Sequence, residues 1–155
     1  MHKGLFTLLF VAPLAWGGEW TLDDGDELLV WQDAGNTIKN ESWSEDVTPR
    51  MQFVCAAGGE IVASIDWQRF ISSFNTEIGF KVDGGKFTWL KWKVDSSEKI
   101  TISPSASDTQ KLLDAVGEGS ELLVDITPYS ESAVTVTFDV TDLGDSLEGL
   151  KTSCQ

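Results

Sequence analysis

The sequence predicts a mainly β domain, an antiparallel β-sandwich or open barrel with two short helices and one disulfide. Three observations carry that expectation. Apolar and polar residues alternate over a series of short runs, the period of a half-buried strand. Glycine turns between the runs are too short for parallel crossovers. Helical periodicity is confined to two short segments, one of them at the end of the chain.

The stretch from Thr21 to Thr48 is acidic and mixed. Within it, Glu27 to Gln32 is expected to be a strand carrying Leu28, Val30 and Trp31, and Asn36 to Asp46 a loop. Met51, Phe53 and Cys55 then alternate, and Gly58-Gly59 marks a hairpin. Ile61, Ala63, Ile65 and Trp67 share one face of the returning strand. Ile78, Phe80 and Val82 repeat the pattern, Asp83-Gly84-Gly85 turns the chain, and Phe87 to Val94 returns. Ile100 and Ile102 fit a short strand before Pro104. Ser107 with Asp108 is expected to cap a helix running to Val116, which Gly117 and Gly119 end. Leu122, Val124 and Ile126 form a further strand face, and Val134, Val136, Phe138 and Val140 give the cleanest alternation. A final helix from Asp142 to Lys151 presents Leu143, Leu147 and Leu150 on one side. Sheets with one apolar face bury it in a sandwich or barrel.

The first residues point to export. His2 and Lys3 make a weakly basic start, residues 4–14 are apolar apart from Thr7 and Pro13, and Ala15-Trp16-Gly17 offers small residues for cleavage. That is the order of a signal peptide, expected to span 1–17, with a single domain over 18–155. The apolar run is shorter than the roughly 20 residues of a spanning helix. No cysteine follows it to carry a lipid. A periplasmic or secreted location is therefore expected. Two cysteines in an exported chain read first as a disulfide, here Cys55 to Cys154. Closing a loop of that length stabilises by about 4–5 kcal/mol on the chain-entropy account. The competing reading, two thiols in a metal site, lacks a histidine to complete the ligands.

Charge and composition exclude several functions. The chain carries 11 Lys and Arg against 25 Asp and Glu, a net charge of −14. Such an excess repels nucleic acid and anionic membranes, and it suits either a basic protein partner in the envelope or a cation-rich, saline setting, which charge alone does not separate. The single histidine, His2, lies in the expected leader, so Ser-His-Asp and Cys-His catalysis are excluded from the remainder. Asp83-Gly84-Gly85-Lys86 lacks P-loop spacing. No motif selects a carboxylate pair for glycoside cleavage from so many acids. Asp23, Asp24, Asp26 and Glu27, and separately Asp139, Asp142 and Asp145, are acidic clusters without EF-hand spacing. Solvated loops and helix starts explain them. No catalytic residue, metal or cofactor is expected.

Tryptophan is the remaining signal. After the leader come Trp20, Trp31, Trp43, Trp67, Trp89 and Trp92. Trp89 and Trp92 fall on opposite faces of one strand. Leu90 and Val94 share the face of Trp92, which is therefore expected inside. Trp89 is expected outside with Lys91 and Lys93, a candidate partner-binding patch.

The stretch from Met51 to Cys154 resembles the type VI secretion-associated VasI/TagO-like family of small exported proteins. The resemblance rests on the Cys55 strand with Ile61-Val62-Ala63-Ser64-Ile65-Asp66-Trp67, on Phe80-Lys81-Val82-Asp83, on Leu122 to Tyr129, and on Thr137-Phe138-Asp139 through Leu143, Leu147, Leu150 and Cys154. The sequence departs from the family where Gln155, and not Gly-Trp, follows the last cysteine. The resemblance implies a non-enzymatic accessory protein of the bacterial envelope, and carries over only the cysteine pair. The alternative expectation is a carbohydrate-binding or carboxylate-dependent glycan-acting domain.

Overall fold

The computed structural model describes residues 19–40 and 45–154. The expected leader and Trp43 lie outside them. Eleven strands occur among the described residues: β1 (Thr21–Asp24), β2 (Leu28–Asp33), β3 (Ile38–Lys39), β4 (Asp46–Val47), β5 (Arg50–Cys55), β6 (Ile61–Asp66), β7 (Thr76–Val82), β8 (Phe87–Val94), β9 (Ile100–Ile102), β10 (Glu121–Ile126) and β11 (Val134–Asp139). The helices are α1 (Ala106–Val116) and α2 (Leu143–Ser153). Nine strands form one antiparallel sheet in the order β1-β2-β5-β6-β9-β8-β7-β10-β11, while β3 and β4 make a separate ribbon.

The expected alternation orients the sheet. Val30, Met51, Phe53, Ala63, Ile65, Ile78, Phe80, Trp92, Val124, Val136 and Phe138 point inward and are buried in one cluster. Both helices join that cluster, α1 through Leu112 and Val116 and α2 through Leu143, Leu147 and Leu150. Helix α1 packs on β6, β7 and β8, and α2 on β2 and β5. Cys55 and Cys154 are disulfide-bonded with Cα atoms 5.7 Å apart, which ties the end of α2 to the end of β5.

The sheet curls until β2 approaches β11, but no backbone ladder joins them, so the barrel stays open. Side chains bridge the seam. Gln32 Nε2 donates to Asp139 O at 2.9 Å and Gln32 Oε1 accepts from Asp139 N at 2.8 Å. Asn36 Nδ2 donates to Thr135 O and Asn36 Oδ1 accepts from Thr137 N, both at 2.9 Å. Gly35 N donates to Thr137 O at 2.8 Å. Two amide side chains and one backbone N–H thus occupy the free edge of β11, which would otherwise be a template for another strand.

Two local expectations are corrected, and one strand is found where none was expected or excluded. The cap of α1 is Ser105, not Ser107: its Oγ accepts from Asp108 N at 3.3 Å and donates to Asp108 Oδ2 at 2.7 Å. The segment 21–24 is a strand, although all four of its residues are exposed. The ribbon of β3 and β4 falls where a loop was expected. Arg69, 2 % exposed, fastens this region. It donates to Lys39 O and Phe70 O, each at 2.9 Å, and pairs with Glu131 at 2.5 Å. A buried guanidinium with its donors so engaged is a structural tie.

Candidate functional site

Strand β8 presents two opposite surfaces. Trp92 is fully buried against Phe80, with ring centroids 5.3 Å apart. Phe87, Trp89, Lys91 and Lys93 face out and are all exposed. The structure therefore places Trp89, Lys91 and Lys93 together on one outer face, as the parity of β8 requires.

The register of the hairpin adds what one strand cannot show. Asp83 and Gly84 have φ of 49° and 73°, the left-handed conformations of a tight hairpin turn. That turn sets Trp89 opposite Gly79, Phe87 opposite Lys81 and Lys91 opposite Glu77. Gly79 has no side chain, and the indole lies over it. A Cβ added at Gly79 would come within 2.8 Å of Trp89 Cη2 and 2.9 Å of Phe87 Cδ1. Phe87 and Trp89 stack with centroids 5.3 Å apart and an interplanar angle of 30°. Lys81 Nζ sits 4.9 Å from the Phe87 ring centre, a cation–π contact. Trp89 nonetheless remains 52 % exposed. The result is an exposed, stacked aromatic pair on the outer face of the sheet.

Polar groups surround the pair. Beyond Gly79 on β10 stands Asp125, which accepts from Thr135 Oγ1 at 3.2 Å. Lys81, Lys91 and Lys93 form no ion pair among the described residues, whereas Arg50, Arg69, Lys39 and Lys111 do. Lys81 and Lys91 thus stand beside the rings together with Glu77 and Asp125, a mixed charge on an otherwise acidic chain, and Lys93 lies farther along β8. Phe87 was legible from its odd number on the same strand as Trp89. Lys81, Gly79 and Asp125 were not, because only strand pairing brings them there.

The other candidates resolve into structural roles. Trp20 donates to Asp139 O at 3.1 Å, Trp67 donates to Thr101 Oγ1 at 3.0 Å in the core, and Trp31 lies 3.7 Å beneath the Arg50 guanidinium. Trp89 is the one exposed tryptophan among the described residues. Asp23 accepts from Gly25 N at 3.0 Å within the β1–β2 turn. Asp139 accepts from Thr141 N at 2.9 Å, and Asp142 and Asp145 stand at the cap and first turn of α2. Among the described residues no three acids or cysteines gather to hold a metal ion. A groove of 260 Å³ runs between α1 and α2, floored by Leu113, Val116 and Leu147. Its polar rim residues Gln110, Glu148 and Lys151 are all exposed.

Comparison with known proteins finds no matching family model, no similar curated protein and no similar solved structure.

Proposed function

We propose that the protein is an exported, non-enzymatic interaction module of the bacterial envelope that docks its partner on the outer face of β7 and β8. The observation that carries this reading is the exposed Phe87–Trp89 stack, packed over Gly79 and flanked by lysines. Rigid aromatic surface costs little side-chain entropy to bind, and Trp is enriched where binding energy concentrates. The partner presents an apolar surface to Trp89 and charge complementary to Lys81, Lys91, Glu77 and Asp125. A basic partner, favoured by the net charge of −14, would have to meet the acidic surface elsewhere.

Support for export comes from the leader-like first residues and from the Cys55–Cys154 disulfide, a bond that persists in oxidising compartments. No helix among the described residues is long and apolar enough to cross a membrane. The VasI/TagO-like resemblance supports an accessory role beside a secretion apparatus. A photo-crosslinker placed at position 91 in cells exporting the full chain tests the docking face. A crosslinked species is expected, and it should vanish with Trp89→Ala. A species that persists in Trp89→Ala, or none at all, would remove this face from the reading.

A further inference from the structure

The large sheet has two outer strands, and only one of them is covered. Gln32, Asn36 and Gly35 occupy the edge of β11. Strand β1 pairs with β2 on one side and has no backbone partner on the other among the described residues. We propose that a basic, extended segment of a partner protein adds to β1 as a further strand. This surface is distinct from the Trp89 face and is independent of it.

The backbone supplies the contact. In an antiparallel pair, alternate residues turn their N–H and C=O away from the partner strand, so the outer edge of β1 keeps donors and acceptors for another chain. Strand addition draws affinity from such groups and specificity from the side chains beside them. All four side chains of β1 are exposed. Leu22 stands opposite Val30, which is 2 % exposed in the core, yet Leu22 itself is 52 % exposed. Residues directly opposite each other share a sheet face. The core side of the sheet thus runs one strand past its cover, and an apolar side chain on an added strand meets Leu22 there.

Charge decides which strand fits. Glu19, Asp23, Asp24, Asp26 and Glu27 lie on β1 or flank it, and none forms an ion pair among the described residues. No Lys or Arg occurs from Glu19 to Ile38. The next two strands inward, β2 and β5, offer one cation, Arg50, and Asp33 already holds it at 2.8 Å. No cation of these three strands is therefore left to offset the acids. A second copy of this chain would bring its own Asp23 and Asp24 to the same edge, and like charges across paired strands repel. A strand that carries Lys or Arg gains what that copy loses.

The test titrates the chain as the cell exports it, disulfide intact, with the end-capped hexapeptide Lys-Val-Lys-Val-Lys-Val and follows backbone amides by NMR. Its alternation sets one row of valines on the Leu22 side and one row of lysines on the Asp23 side. The outward amides of β1 are expected to exchange freely in the unbound protein and to become protected with peptide. Binding should weaken as salt rises. The Glu-Val counterpart should bind at least tenfold more weakly. Two further peptides carry N-methyl groups, one on the lysine nitrogens and one on the valine nitrogens. The one whose methyl groups face β1 should lose binding, and the other should keep it. Asp23→Lys combined with Asp24→Lys should weaken binding at least tenfold with unchanged melting, and the peptide series decides the matter if that variant does not fold. Equal binding by the two methylated peptides would mean attraction without strand pairing and would overturn the proposal. So would binding that survives the double variant, or no binding at all. Outward β1 amides already protected in the unbound protein would overturn it too, in favour of a second copy where protection rises with protein concentration and of this chain's own residues where it does not.

Discussion

Gln32 shows how much one side chain can carry. It is 2 % exposed, and its amide exchanges two hydrogen bonds with the backbone of Asp139, as a residue of a paired strand would. Removing it leaves the Asp139 N–H at the seam short of a partner, while Asp139 O keeps the Trp20 indole N–H, and an unmet buried polar group costs about 1–3 kcal/mol. Gln32→Ala is expected to lower stability by about that amount in urea unfolding. An effect below about 0.5 kcal/mol, the range of ordinary surface substitutions, would mean that the seam is not held by this amide. Asp46 is the contrasting case. A hydrogen bond from Lys39 Nζ, reinforced by its charge at 2.9 Å, holds the Asp46 carboxyl below its usual range. Folded-state stability from such a shift is present above the ordinary carboxylate range and is lost as pH falls through the lowered value. Both side chains are exposed, so solvent screens the pair. Lys39→Met is therefore expected to raise the Asp46 pKa in an NMR titration while leaving the melting temperature nearly unchanged.

At the scale of the element, α2 depends on its attachment more than on its own residues. It is 11 residues long and contains Gly144 and Gly149, so its intrinsic helix preference is weak. Leu143, Leu147 and Leu150 dock it on the core, and Cys154 anchors its end to β5. The bond spans a sequence separation of 99. Reduction should first loosen α2, because β5 keeps its ladders to β2 and β6. Hydrogen exchange is expected to rise across Leu143–Ser153 while β5 and β6 stay protected. Uniform loss of protection across the sheet would show that the disulfide holds the whole fold cooperatively. Elements also differed in how clearly the sequence announced them. The strands with one buried face were legible as alternation, from Met51 through Val136. Strand β1 was not, because both its faces meet solvent and leave no alternation to read. Its existence follows from pairing with β2.

Over the whole molecule, the distribution of charge matters more than its total. The net charge of −14 argues against nucleic acid and anionic membranes as partners. The Trp89 face sets Lys81 and Lys91 beside Glu77 and Asp125, a mixture that the total conceals. Its outward row, Phe87-Trp89-Lys91-Lys93, was legible from the parity of one strand. The setting of the aromatic pair required β7 beneath it and β10 beside it, and so the register of two ladders. The seam was equally hidden. Gln32 and Asn36 are ordinary polar residues in sequence, about 100 positions from the strand whose edge they cap.

By itself the sequence determined the fold class, the inward and outward faces of most strands, the two helices and the cysteine pairing. Those properties follow from local period, turn chemistry and an even cysteine count, each of which is written into neighbouring residues. Tertiary structure alone decided that the sheet is continuous and left open between its β1–β2 end and β11, that side-chain amides bridge the opening, and that Gly79 packs under the Trp89 ring. Those depend on which strands become neighbours, and long-range pairing sets that only when the inner faces bury one another.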